Sequence, residues 1–256
     1  MERQIFLCED SPDGIFSGVY DAWASGFSHD TVELCTKEPE SPEFFCVYHH
    51  LEPDAKKAEK VLRTLKRRFG EEYAEWILYA AVSWQADKGT AVFRTISAGI
   101  RSRMTLENQK DEWIRKVAQY RRNVWNEHHH YLGFVRFREV RGGILFGKIA
   151  PKNQVLPLMA EHFQNRLPGE RWILLDERHN AALFHERGEA CVLIYGLKEQ
   201  ILRFPMEECQ SEYEELWRVF CRSIAIDERK NKRLQNQMLP LRFRENMVEF
   251  NKNIFK

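Results

Sequence analysis

The apolar residues of this chain change their spacing part-way along it, and that change restricts the fold more than any other feature. Ala58, Val61, Leu62, Leu65 and Phe69 form one stripe at intervals of three and four, and Tyr73, Trp76, Ile77, Ala80 and Trp84 form a second. That period marks one face of an α-helix. A further helix is expected over residues 92–100. A longer one, beginning near Leu106, carries Trp113, Val117, Tyr120 and Val124. After Asn126 the pattern breaks into short runs. Residues 131–137 and 144–149 read as strands around an Arg141-Gly142-Gly143 turn, and 172–175, 181–184 and 190–195 as three more. Asn153 is placed to cap a helix carrying Leu156, Met159 and Phe163, which Pro168-Gly169 ends. Ser211 and Glu214 form a capping box for a helix carrying Leu216, Trp217 and Phe220.

The opening segment mixes both periods. Residues 5–8 read as a strand. Ser11-Pro12-Asp13 is a strong helix start: a capping hydroxyl, a proline suited to the first helical position, and an acid at the positive helix end. Ile15, Phe16, Val19, Tyr20 and Trp23 follow at helical spacing. Residues 31–35 and 44–48 read as strands separated by a turn at 39–42, and Gly70 ends the helix before it. The expected fold is therefore α+β. An N-terminal strand-helix unit with a helical stretch covers 1–126, and an antiparallel sheet with packed helices covers 127–256. One continuous fold is the alternative.

Charge and cysteine usage narrow the function classes. Lys plus Arg number 39 against 38 Asp plus Glu, a net charge of +1, so no global field draws the chain to nucleic acid or membrane and any such contact must be local. A hydrophobic fraction of 43% fits a folded core. Cys8, Cys35, Cys46, Cys191, Cys209 and Cys221 contain no C-x-x-C pair and read as a reduced, mostly buried set. The apolar run ending at Cys8 is too short for a signal peptide, and 77–82 is far too short to cross a bilayer. A cytoplasmic protein without membrane contact is expected.

Few residues announce chemistry. His128, His129 and His130 follow Glu127, but neighbours on a strand face opposite ways, so no metal site is assigned there or at His49-His50, and no cofactor is expected. Asp176, Glu177 and His179 lie between two strands, where a carboxylate and an imidazole could act as general acid and base or simply form a solvated turn. Residues 227–256 carry eight Lys plus Arg against four Asp plus Glu. Within them, Arg229, Lys230, Lys232 and Arg233 suit phosphates, while Gln235 and Gln237 suit sugars or base edges. Arg136 and Arg138, read as sharing one face of a strand, could extend that surface. Residues 54–68 hold seven cations and two acids on a helix with a clean apolar stripe, which a solvated outer face explains. No P-loop, dinucleotide-binding glycine motif or G-x-S-x-G is present.

The order of several motifs resembles a bacterial family described as DNA repair or DNA metabolism proteins. The likeness begins at Cys8-Glu9-Asp10-Ser11, where the family shows a Tyr-Asp-Gly-Ser type of turn, and resumes at Val19-Tyr20-Asp21-Ala22-Trp23. It continues through Gly133-Phe134-Val135-Arg136-Phe137, Ile149-Ala150-Pro151-Lys152-Asn153 with His162-Phe163, and Trp172-Ile173-Leu174-Leu175-Asp176. It closes at Ile226-Asp227-Glu228-Arg229-Lys230-Asn231, where Lys232 stands in place of the family's proline. The resemblance implies a DNA-directed role beside a radical S-adenosylmethionine (SAM) protein, and a C-terminal module akin to one fused to uracil-DNA-glycosylase-like domains. It carries over no catalytic residues. A DNA-binding accessory, a DNA-processing enzyme such as a glycosylase or nuclease, and a protein-interaction partner without DNA contact are the three functions to distinguish.

Overall fold

A computed structural model describes residues 2–39, 41, 43–102, 110–140, 142–197 and 212–250. Its backbone divides into two compact units, Met1–Asn126 and Glu127–Lys256.

In the first unit β1 (Arg3–Leu7), β2 (Val32–Cys35) and β3 (Cys46–His50) form a parallel sheet in the order β2-β1-β3. Parallel neighbours need a crossover, and α1 (Pro12–Ala24) supplies it between β1 and β2. The Ser11 hydroxyl accepts from the Gly14 amide at 3.0 Å, the expected cap. Position 14 must be glycine, since a Cβ there would lie 2.4 Å from the Glu9 carbonyl oxygen. Next come α2 (Ala55–Phe69), capped by Asp54 and stopped at Gly70 with φ 92°, and α3 (Glu71–Ala81). Two more helices follow, α4 (Lys88–Ser102) and α5 (Glu112–Phe134), whose residues from Glu127 on belong to the second unit. The start of α4 seals the β2 edge: Thr90 Oγ1 accepts from the Leu34 amide at 3.0 Å and donates to the Leu34 carbonyl at 3.1 Å. Ile15, Phe16, Leu34, Leu65, Ile77 and Phe93 are fully buried at the centre. Each such side chain contributes about 1.5–3 kcal/mol by leaving water.

The second unit holds β4 (Phe137–Val140), β5 (Ile144–Ile149), β6 (Arg171–Asp176), β7 (Ala181–His185) and β8 (Val192–Tyr195) in sequential order. The sheet is antiparallel except at β5–β6, which α6 (Leu156–Arg166) makes parallel by crossing over. Phe137, Phe163 and Trp172 meet edge to face beneath it, and His185 stacks on Trp172 at 5.1 Å. Among the described residues that follow are α7 (Glu212–Ser223), a 3-10 turn at Asp227–Arg229, α8 (Lys232–Met238) and a 3-10 turn at Leu241–Phe243.

Several expectations need correction. Residues 131–134 are the last turn of α5, not a strand; the Val135 amide still donates to the Tyr131 carbonyl at 3.0 Å, so extended structure starts only at Phe137. The strand expected from 44 begins at Cys46, and Phe44 and Phe45 are exposed, Phe45 with φ 59°. Asn153 does not cap α6, which starts after Val155 without a side-chain cap, because the Asn153 amide is drawn to Glu127. Of the five cysteines described, Cys8 alone is fully buried, and all five are free thiols. Cys209, Arg141, the capping Ser211, parts of the 39–42 turn and the helix start near Leu106 lie outside the described residues. No described helix is long and apolar enough to cross a membrane.

Candidate functional site

β5 and β6 run in the same direction, so their carboxyl ends open at one edge, the position where parallel α/β units bind ligands. Asp176 ends β6 with no exposure. Its Oδ1 accepts from the amides of Arg178 at 3.0 Å and His179 at 3.2 Å, and its Oδ2 lies 2.7 Å from His179 Nδ1. This carboxylate locks the turn and orients the ring. With Nδ1–H donating to it, Nε2 becomes the proton-accepting nitrogen. Glu177 turns away to pair with Lys148 at 2.6 Å. The three acid–base candidates thus divide into an Asp176–His179 pair and a separate surface ion pair.

Residues distant in sequence join this edge. Glu127 on α5 is 2% exposed; it accepts from the Lys152 amide at 3.1 Å, the Asn153 amide at 2.8 Å and Asn153 Nδ2 at 2.6 Å, with Arg242 at 3.5 Å. Tyr131, one helical turn on, meets the Ala150 backbone. Burial pushes its phenol pKa up, and the carboxylates of Glu127 and Asp176 push it further, so the hydroxyl keeps its proton. This polar centre comprises two clusters, Glu127 with Asn153 and Arg242, and Asp176 with His179, and the Tyr131 phenol feels the carboxylate of each. Sequence reasoning found only Asp176 and His179 of these; Glu127 stood out merely as a neighbour of three histidines. Those histidines lie on a helix, and His128 is held neutral, its pKa pushed down to about 4 by burial. Among the described residues no three His, Cys, Asp or Glu side chains could hold a metal ion together.

The basic segment takes a different form. Arg229, Lys230, Lys232, Arg233, Gln235 and Gln237 are all exposed, and no residue of α8 is buried. Asn231 caps α8 by accepting from the Leu234 amide at 3.0 Å. Arg244 ties down its far end through Asn236 Oδ1 and the Leu239 carbonyl, both at 2.8 Å. Beyond it Phe243 is buried against Tyr131, His130 and Phe134. Arg229, Lys232 and Arg233 form no ion pair among the described residues. Arg136 stands apart: it precedes β4, donates to the carbonyls of Gly133 and Val135, and pairs with Glu249 at 2.8 Å, so its charge is already engaged. Arg138 is half-buried within β4 opposite Phe146.

A buried cation in the first unit has no local sequence signal. Lys88 is 2% exposed at the start of α4 and pairs with Asp10 at 2.5 Å, above the carboxyl end of β1. Burial lowers its pKa and Asp10 opposes that shift. Cys8 beside it is pushed up to about 12, mainly by burial.

Residues 86–249 match a family described as Domain of unknown function (DUF4130). The chain belongs to the DUF4130 family. The match contains the whole polar centre and the exposed basic segment, and it begins just before Lys88. No curated protein matches the chain.

Proposed function

We propose that this DUF4130 protein is a cytoplasmic, DNA-directed accessory of bacterial DNA repair or DNA metabolism that works beside a radical SAM enzyme. The observation that carries the reading is the exposed segment around α8. Four cations within five residues stand in solvent, Lys232 and Arg233 on the first turn of the capped, tethered helix and Arg229 and Lys230 just before it, in a chain whose net charge is only +1. Such a patch matches a phosphate backbone, with Gln235 and Gln237 within the same segment for sugars or base edges. The implied partner has a candidate docking face on α7 and the turn after it, where Leu216, Trp217, Val219, Phe220, Ile224 and Ile226 are all more than 40% exposed. The test is fluorescence anisotropy with labelled single- and double-stranded DNA at low and moderate salt, alongside an Arg229→Ala, Lys230→Ala, Arg233→Ala variant. Salt-sensitive binding that the variant loses is the expected result. Equal binding by both proteins, or affinity that ignores salt, would remove the segment from the interface. Binding of purified radical SAM companion to wild type, and its loss in Leu216→Asp, Phe220→Asp, checks the partner half.

A DNA-processing enzyme is the second reading, favoured by the Asp176–His179 pair. The pair is built as an oriented general base: Asp176 holds His179 Nδ1 at 2.7 Å and leaves Nε2 to take a proton. His179→Gln would abolish strand cleavage or base release while leaving DNA affinity intact. Absence of either activity on undamaged, uracil-containing and abasic DNA would retire this reading.

A further inference from the structure

The first unit contains an apolar groove of about 310 Å3 between α1, α2 and α4. Its floor is Val19, Leu65 and Ile96, each at most 3% exposed, and its walls include Tyr20, Trp23, Val61 and Ile100. Tyr20 and Trp23 are three positions apart on α1 and therefore share a helix face. Trp23 is backed by His29 at 4.5 Å and remains 38% exposed, a ring held in place but open to solvent. Lys60 completes the wall, with its ammonium 5.6 Å from the Tyr20 ring centroid.

Three polar tips around this groove have no hydrogen-bonding or acidic partner among the described residues. The Tyr20 hydroxyl and the Trp23 indole N–H form no hydrogen bond among the described residues, and Lys60 forms no ion pair. An apolar slot with a few unengaged polar groups is the usual form of a small ligand site, and this volume sits at the small end of that class. The free cation asks for a negative charge. The two aromatic walls, with an N–H and an O–H at their edges, ask for a flat heteroaromatic body. The exposed surface of α2 repeats the charge along one stripe: Lys56, Lys60 and Arg67 lie at intervals of four and seven, one and two turns apart, and none is matched by an acid among the described residues. Lys57 and Arg63, by contrast, are consumed by Asp21 and Glu59.

We propose that this groove and the α2 stripe form a site for single-stranded nucleic acid, one unpaired base entering between Tyr20 and Trp23 while Lys56, Lys60 and Arg67 follow the phosphates. Aromatic walls beside a basic track are how single strands are held without sequence preference. The groove's lining is mainly apolar and aromatic, which suits a base and not a pyrophosphate. This site does not depend on the α8 segment, and its test separates the two.

The full-length protein with Arg229→Ala, Lys230→Ala and Arg233→Ala is titrated with short labelled oligothymidylate, oligouridylate and an abasic strand of equal length. Oligothymidylate should bind at least about fivefold tighter than the abasic strand, the smallest effect expected of one stacked base. Trp23→Ala should erase that difference without weakening abasic binding, and Trp23→Phe should keep part of it. Lys60→Gln should weaken all three strands and flatten the salt dependence by about 0.7 of a logarithmic step per decade. Preference for thymidylate over uridylate, or the reverse, then assigns the strand to DNA or RNA. Equal affinity for base-bearing and abasic strands overturns the proposal. So does an unaltered profile in Trp23→Ala, or polyglutamate displacing the strands as well as DNA does, which would assign the groove to an acidic peptide.

Discussion

A lysine that is 2% exposed has to be explained by its partner. Lys88 is desolvated, while Asp10, the carboxylate it meets, keeps 42% of its side chain in water. Removing the partner should therefore cost more than removing the pair's buried member. Asp10→Ala is expected to lower stability by about 2–3 kcal/mol, below the usual cost of breaking a fully buried pair because Asp10 is half in water, while Lys88→Met should stay within about 1 kcal/mol of wild type. Urea midpoints at constant slope decide this, and the reverse order would mean that the pair stabilises the fold outright. His128 makes a second prediction. Burial depresses its folded pKa from 6.5 to about 4, with His162 and His129 adding to the shift and a Leu158 backbone bond opposing it. The unfolded chain binds the proton more readily, so the contribution is complete above pH 6.5 and is lost as pH falls toward 4. The ceiling is on the order of 3 kcal/mol. Denaturation at pH 7 and pH 5 should show a smaller acid loss in His128→Gln than in wild type. Neither residue's burial could be read from the sequence, because a lysine is nominally a surface residue and burial of one ring among three depends on which helix face packs.

Local signals identified elements well where one short segment determines the outcome. Ser11-Pro12-Asp13 started α1 and Gly70 stopped α2, since caps and left-handed stops are decided within a few residues. Signals failed where distant residues decide. Nothing near Tyr131 reveals that Phe243 will pack on it and that helix will continue to Phe134, and the period of a strand does not say whether its neighbour runs parallel. The β5–α6 connection is the clearest case. Asn153 has the composition of a cap, yet Glu127, 26 positions away, takes both its amide and its side chain. Glu127→Ala would strand three donors and should cost about 3 kcal/mol or more; Glu127→Gln keeps an acceptor and should cost roughly half. Hydrogen exchange at the amides of Lys152 and Asn153 reads this directly. Protection that persists in Glu127→Ala would mean that the connection is held by packing alone. The candidate site was half legible for the same reason: the basic segment is contiguous, whereas the polar centre draws on positions 127, 131, 153, 176, 179 and 242.

For the whole chain, near-neutrality is itself a constraint on how nucleic acid could be bound. With 39 cations against 38 acids, long-range attraction is weak, and affinity must come from the few charges that touch phosphates. The number of those charges is measurable. Each phosphate neutralised on duplex DNA contributes about −0.9 to the slope of log affinity against log salt. If Arg229, Lys230, Lys232 and Arg233 all make contact, the wild-type slope should be near −3.6, and the Arg229→Ala, Lys230→Ala, Arg233→Ala variant should fall to roughly −0.9. A general positive field would behave differently: removing three of 39 cations would change the slope by a small fraction. Measuring dissociation constants between low and moderate salt for both proteins separates these cases. A steep slope that collapses in the variant places the binding charge in one exposed turn of α8 and its approach. A steep slope that survives moves it to α2, where Lys56, Lys60 and Arg67 await the same substitution. A flat slope in both removes phosphate contact from the account and leaves the apolar face of α7 as the functional surface of the molecule.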